Sequence, residues 1–469
     1  MSTTVKDRLK QGKDARKLCP RSSHAHPGHI KRDPIPLIKL SSEGRVQSLV
    51  ALRYGRMLVS PFTFYRGNAL LQAHDLAGTP DMGMRSMICG DCHLMNFGGF
   101  ATPERNLLFS VNDFDEVHPG PWEWDLKRLV ASFLVAARDL RHGVSVEEDV
   151  CHQVVAAYQK SMAECAEQSA LEIWYDSISY TDLLQRARSE NTLEHVQRAI
   201  DKAARRTHAE LLPKISERDA QGRLLIRDDL PEIFHLHNHT TLLDAEDDWL
   251  RLSDWRPLYD TFMRDYRATL VGDRRNLLGR FEVQDMAFKV VGVGSVGTRC
   301  LVALMTDNQE RPLFLQFKEA RPSVLANFVK VKSPRHNGQR VVEGQRLMQS
   351  ASDLFLGWTT GPNGRHFYVR QLRDMKVSAE LETFDDEAFA AYARTCGRAL
   401  ARAHAKASGQ AAQISGYIGK SDTLSEALMQ YAKTYADQNE RDFERFQLAC
   451  RKGRLLARSE ADFAADHLP

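Results

Sequence analysis

Asp91 and Asn96, then Asp113 and Asp115, then Asp125 follow one another within a short span of chain. Together they could hold a divalent cation or move a proton. Short apolar runs lead into the first two clusters: Met87-Ile88-Cys89 before Gly90-Asp91, and Leu107 to Val111 before Asn112-Asp113-Phe114-Asp115. Each run has the length of a strand and ends in turn-forming polar residues. The pattern predicts short strands that bring carboxylates to one rim. Carboxylates sharing a rim repel unless a cation lies between them. Mg²⁺ takes oxygen ligands, commonly one or two carboxylates plus substrate phosphates.

Farther along, Met286 to Val291 predicts a strand, Gly292-Val293-Gly294-Ser295-Val296-Gly297 a glycine-rich turn, Cys300 to Met305 a second strand and Pro312 to Lys318 a third. A dinucleotide site needs a helix directly after such glycines. A strand there predicts a hairpin instead, with glycines that leave room for close backbone approach. Lys318 closes the third strand. Arg66 follows the aromatic cluster Phe62 to Tyr65 and is open to two roles, a bidentate phosphate contact or pairing with an acidic cluster.

The spacing of Asp91 and Asn96 resembles the protein-kinase catalytic loop, where Asp orients the acceptor hydroxyl and Asn holds a metal. Asp113-Phe114-Asp115 resembles the D-F-G turn, with Asp115 in place of Gly as in many small-molecule kinases. Gly120-Pro121 with Trp124-Asp125-Leu126, and the helix expected over 389–406, resemble segments of aminoglycoside and choline kinases. The chain is therefore similar to the protein-kinase-like superfamily. Gly90-Asp91-x-His93-x-x-Asn96-Phe97-Gly98, Asn112-Asp113-Phe114-Asp115-Glu116 and the upstream Arg53 to Gly67 also resemble, over most of the chain, a large bacterial family without an assigned function.

This resemblance implies an α+β, two-lobed fold that binds ATP and Mg²⁺. Gly292, Gly294, Ser295 and Gly297 would cover the triphosphate, and Lys318, positioned by Glu343, would bind its α- and β-phosphates. Asn96 and Asp113 would hold metal, with Asp115 as a further ligand, while Asp125 braces the loop from below. Asp91 would orient or deprotonate an acceptor hydroxyl. His93 would either approach the γ-phosphate or hold the loop. Arg299 stands where the usual Val of the glycine loop sits. The order of these pieces differs from that of an ordinary kinase, because the catalytic loop precedes the glycine loop and the helix that should feed it ends near 406. A circular permutation, cut between that helix and the catalytic loop, accounts for the order. The expected activity is phosphoryl transfer to a hydroxyl of a small molecule or protein. The alternatives are adenylyl transfer to a protein and a non-catalytic nucleotide-binding module.

At 469 residues the chain has the length of two or three domains. Four regions are expected: a polar, loosely ordered arm over 1–40, a helical catalytic region over 41–280, a β-rich nucleotide-binding lobe over 281–376 and closing helices over 377–469. A net charge of +3 gives no strong pull toward nucleic acid or membrane. No apolar run approaches the ~20 residues of a membrane span, and no apolar signal core opens the chain, so a cytoplasmic location is expected. Eight cysteines in this length do not make a disulfide framework. Cys89-x-x-Cys92-His93 lacks a second ligand pair and falls inside the loop motif. His24, His26 and His29 read as a solvated tail, and Arg370, Arg373, Asp374 and Lys376 as a charged cluster whose default is a solvated surface.

Overall fold

The computed structural model describes residues 4–235, 247, 249, 255–372 and 375–467. Helix α1 (Val5–Ala15) opens on a reciprocal cap: the Thr4 hydroxyl accepts from the Asp7 N–H at 3.2 Å, and the Asp7 carboxylate accepts from the Thr4 N–H at 3.1 Å. After it, Arg16 donates to the carbonyls of Gly416 and Tyr417 at 2.6 and 2.8 Å. Helix α2 (Pro34–Ser42) begins on Pro34, where a missing N–H costs nothing. Just before it, Arg32 is clamped between Asp75 at 2.5 Å and Asp442 at 2.6 Å. His24 is fully buried against the Tyr417 hydroxyl at 2.6 Å. The described part of the expected loose arm is therefore packed structure, and His24 is no part of a solvated tail. The prolines there start a helix and shape turns, and Arg8 donates to the Gly409 carbonyl at 2.9 Å while Lys6, Lys10 and Lys13 are exposed.

Helices α3 (Gln47–Met57), α4 (Pro61–Arg66) and α5 (Ala69–Leu76) follow. Strands β1 (Ser86–Ile88), β2 (Phe97–Ala101), β3 (Leu107–Val111) and β4 (His118–Gly120) carry the acidic clusters, and lead to α6 (Trp122–Asp139) and α7 (Val144–Glu167). Short elements come next: α8 (Ala170–Tyr175), α9 (Tyr180–Arg186), α10 (Glu190–Ala204), α11 (His208–Ile215), β5 (Ser216–Arg218), β6 (Leu224–Ile226) and β7 (Ile233–Phe234). Then α12 (Arg256–Thr269) and α13 (Gly272–Leu278) precede β8 (Glu282–Lys289), β9 (Cys300–Thr306) and β10 (Pro312–Glu319). Helix α14 (Asn337–Met348), strands β11 (Gly357–Thr360), β12 (His366–Gln371) and β13 (Val377–Ser378), and helices α15 (Asp386–Ser408), α16 (Ala411–Ile418), α17 (Thr423–Arg451) and α18 (Glu460–His467) complete the chain.

The architecture is α+β. Six antiparallel strands run in the order β11-β12-β10-β9-β8-β7. Strand β9 is buried throughout, because both faces of the sheet are covered. Its alternate residues divide between two cores, Leu301, Ala303 and Met305 with Phe262 and Tyr266 of α12, and Val302 and Leu304 with Leu211 of α11. A third core joins α6, α7 and α15 around β1. The stretch expected as one helical region to 280 is thus shared out. Helix α7 packs on α15, while α12 and β7 belong to the sheet expected to start at 281.

His235 ties β7 to β8. Its Nδ1 lies 2.6 Å from Asp228 and its Nε2 2.9 Å from Asp285. Burial opposes the imidazolium, but the two carboxylates outweigh it and raise the pKa from 6.5 to about 10. A raised folded-state pKa gives stability that is complete below about 6.5 and lost as pH rises through about 10. The urea midpoint should therefore fall across that interval in the wild type, and fall less in His235→Gln.

Candidate functional site

The loop that carries Asp91 is fixed from beneath. The Asp125 carboxylate, on the first turn of α6, accepts from the N–H groups of Cys89 and Gly90 at 2.6 and 2.9 Å. His404 of α15 lies 3.2 Å from the same carboxylate, and its other ring nitrogen meets the Tyr158 hydroxyl at 2.9 Å. Gly90 has φ +81°, and a Cβ there would sit 2.4 Å from the Glu116 carbonyl, so the turn before Asp91 requires glycine.

Asp91 pairs through Oδ1 with Arg128, which is almost fully buried. Burial pushes the Asp91 carboxyl above the usual range against the pull of Arg128. Its Oδ2 takes no hydrogen bond from a described residue. Asn96 donates its amide N–H to the Asp91 carbonyl at 2.5 Å, which leaves its Oδ1 as an acceptor. The Asn112 N–H donates to the Asn96 carbonyl at 2.8 Å and so sets Asn96 beside the Asp113 turn.

The acid rim and the glycine hairpin meet. Lys318, from the end of β10, forms an ion pair with Asp115. Ser295, in the glycine turn, donates to Asp115 at 3.0 Å, and Tyr368 of β12 donates to its other oxygen at 2.8 Å. Burial disfavours the Asp115 charge, but Lys318 and Tyr368 outweigh it and hold its pKa at about 2. Both Asp115 oxygens are thus engaged by the protein in this arrangement. Asp113 differs. Its carboxylate accepts one hydrogen bond, from the Asp115 N–H at 3.2 Å, and pairs with no cation among the described residues. Its charge nevertheless acts on Arg66, Lys318, Arg370 and Lys376, which surround it.

Glu343 does not reach Lys318. It is exposed on α14 and accepts from Gln339 at 2.6 Å. The helix touches the rim through Arg340 instead, which donates to the carbonyls of Asp115 and Val117. The buried stripe of α14 runs through Arg340, Gly344 and Met348, and Glu343 lies off it. Glu319 points away from Lys318 and meets Arg299 and Arg365 at 3.3 and 3.0 Å. Arg299, at the usual Val position, is a buried structural cation: it grips Asp247 through two nitrogens at 2.6 and 2.8 Å and donates to the Gly44 carbonyl at 2.7 Å.

The glycine turn is strapped from outside. The Val46 N–H donates to the Gly297 carbonyl at 2.8 Å, Arg45 to Val296 at 2.6 Å and Arg56 to Val291 at 3.0 Å. Gly292 has open space where a Cβ would lie, and at Gly294 the nearest atom would be 3.6 Å away, so no neighbour demands glycine at either position. Both glycines are exposed.

Arg66 is half-buried, and its Nε is enclosed without a hydrogen-bond partner. Burial lowers its pKa, opposed by Asp91, Glu382 and Asp113. His93 is buried, and burial beside Arg66 and Arg128 pushes its pKa well down, which keeps the ring neutral. Arg370 lies over the Tyr368 ring and donates to Gln316 at 3.0 Å. Arg370 and half-buried Lys376 face the rim and are not a solvated surface. Arg373 and Asp374 lie outside the described residues. Burial and the neighbouring Arg370 push Lys376 down to about 7. All eight cysteines are free, and among the described residues no group of three or more His, Cys, Asp or Glu is arranged to hold a metal alone. The oxygen donors of Asp113 and Asn96, on turns joined by the Asn112-to-Asn96 backbone hydrogen bond, suit a cation that brings phosphate ligands of its own.

A family model described as "uncharacterized protein conserved in bacteria (DUF2252)" matches residues 45–449. No curated protein and no solved structure matches the chain. Among the described residues no helix is long and apolar enough to cross a membrane.

Proposed function

The chain belongs to this uncharacterised bacterial family, and we propose that it is an ATP- and Mg²⁺-dependent phosphotransferase with a kinase-like fold in circularly permuted order. The observation that carries this reading is the meeting of the acid rim with the glycine hairpin, through Lys318 and Ser295 on Asp115. Permutation is supported by α15, which lies against the loop it would precede in an ordinary kinase. Its Tyr392 hydroxyl bonds the carbonyls of Leu94 and Phe97 at 2.8 and 3.2 Å, and its His404 meets Asp125.

Phosphoryl transfer asks the protein mainly for position and charge. Lys318 exchanges Asp115 for the α- and β-phosphates. The glycine turn offers N–H groups, and Arg66 offers a guanidinium that makes no hydrogen bond or ion pair with a described residue. Asp91 keeps Oδ2 free for an acceptor hydroxyl, and its raised pKa suits a proton acceptor. Bound Mg²⁺, held by Asn96 and Asp113, would neutralise charge on the transferred group. The small cavity beside Asn112, Arg370 and Lys376 measures about 130 Å³, well below the ~300 Å³ at which ligand pockets begin.

Calorimetric titration with Mg-ATP tests the reading. Wild type should bind and Lys318→Met should bind at least about tenfold more weakly. Wild type that neither binds nor turns over any nucleotide sinks it. Label carried to the acceptor from the α- rather than the γ-position would replace phosphoryl by adenylyl transfer. Lys376 adds a pH dependence. With a pKa near 7 it is charged below that pH and neutral above it. Nucleotide affinity should fall roughly tenfold from pH 6 to pH 8, and the fall should flatten in Lys376→Met, which cancels the ligand's own titration.

A further inference from the structure

We propose that a cavity bordered by α7, α9, α10 and α15 and by β3 and β13 binds an amphipathic organic anion: an apolar body with one anionic head. The cavity measures about 1040 Å³ and none of Asp91, Asn96, Asp113, Asp115 or Lys318 lines it. That is the upper end of the range for small-molecule sites.

Its floor and its mouth differ in chemistry. Phe109, Tyr180, Leu183, Val196, Phe384 and Tyr392 make an apolar floor. The mouth carries seven Lys and Arg against three Glu. Three of the cations have carboxylate partners: Lys202 with Glu380, Arg394 with Glu387 at 2.8 Å, and Arg198 with Glu194 at 3.9 Å. The other four, Lys160, Arg186, Arg188 and Arg398, make no hydrogen bond or ion pair with a described residue. Arg398 is the most telling. It is half-buried and Arg186 repels it, while Glu164 and Asp182 act on it without bonding it. A partly buried cation beside a like charge is costly until an anion joins them. Free inorganic phosphate would satisfy the mouth and leave the floor wet. An uncharged lipid would do the reverse. A molecule with both parts satisfies both. The proposal does not depend on the nucleotide reading, since the two sites share no residue of the acid rim.

The test is calorimetric titration of the full chain with dodecyl phosphate and with dodecanoate below their micellar concentrations, and with dodecan-1-ol and inorganic phosphate in separate runs. One or both anionic amphiphiles should bind, which also identifies the head. The alcohol and free phosphate should bind at least tenfold more weakly. Arg398→Ala and the exposed Arg186→Ala should each weaken binding at least tenfold. Ala156→Phe, which projects a ring into the cavity from an exposed position on α7, should weaken it as much. Failure of both amphiphiles to bind overturns the proposal. So does equal affinity for the alcohol, or unchanged affinity in all three variants. Arg186→Ala and Ala156→Phe alter exposed positions, so a folding defect in Arg398→Ala leaves the test intact.

Discussion

Asp113→Asn is expected to lower Mg²⁺-dependent ATP turnover by roughly 10²–10³-fold while leaving stability within about 0.5 kcal/mol of wild type. The separation of these two effects is what makes the variant informative. The Asp113 carboxylate is not paired with a protein cation among the described residues and accepts only the Asp115 N–H, at 3.2 Å. Little folding energy therefore depends on its charge. Its field, however, reaches Arg66, Lys318, Arg370 and Lys376. Neutralising it leaves a more positive rim, so metal-free ATP should bind as tightly as before or more tightly. Turnover should be lost, because the asparagine amide is a far poorer cation ligand. Steady-state phosphate release and metal-free calorimetry on the same preparation measure both. Equal turnover in the two proteins removes Asp113 from the metal site, and a large stability loss assigns it a structural task instead.

Asp125→Ala should behave in the opposite way, with stability falling by about 3–5 kcal/mol. The carboxylate is 1% exposed and accepts from two backbone N–H groups at 2.6 and 2.9 Å, with His404 at 3.2 Å. Alanine leaves two buried donors and a histidine without an acceptor, at about 1–3 kcal/mol for each unmade bond. His404→Ala removes one of the three contacts to the carboxylate together with the Tyr158 hydrogen bond, but leaves both backbone donors satisfied and should cost less. Urea denaturation gives both numbers. A loss below about 1 kcal/mol in Asp125→Ala would mean that the Cys89–Gly90 turn is held by something else. Since Asp91 follows Gly90 directly, loosening that turn should also misplace its carboxylate, where a shift of about 1 Å can cost 10²-fold in rate.

Local signals were the readable ones. Strand β3 occupies the whole of Leu107–Val111 because its apolar run is bounded by polar turns on both sides. The strand after the glycines excluded a dinucleotide site on sequence alone, and β9 stands where that argument needs it. The acid residues were legible as types, but their partners were not. Lys318 and Asp115 are 203 positions apart, and nothing in either neighbourhood names the other. Glu343 sits on a correctly expected helix but off its buried stripe, a distinction of one residue in register. Arg128 was hidden in a helix that reads as ordinary packing, although a guanidinium among Leu126, Leu129 and Val130 marks a buried counter-charge. The first residues looked loose because polar composition masked the Thr4–Asp7 capping spacing.

The clamp on Arg32 bears on where this molecule can be cut. The family match starts at residue 45, downstream of that arginine, yet both of its partners, Asp75 and Asp442, lie inside the matched span and are shielded from water. A fragment trimmed to the borders of the match would carry two neighbouring acids in its interior with their shared counterion deleted. The matched span and the segment that neutralises its buried acids therefore have different edges.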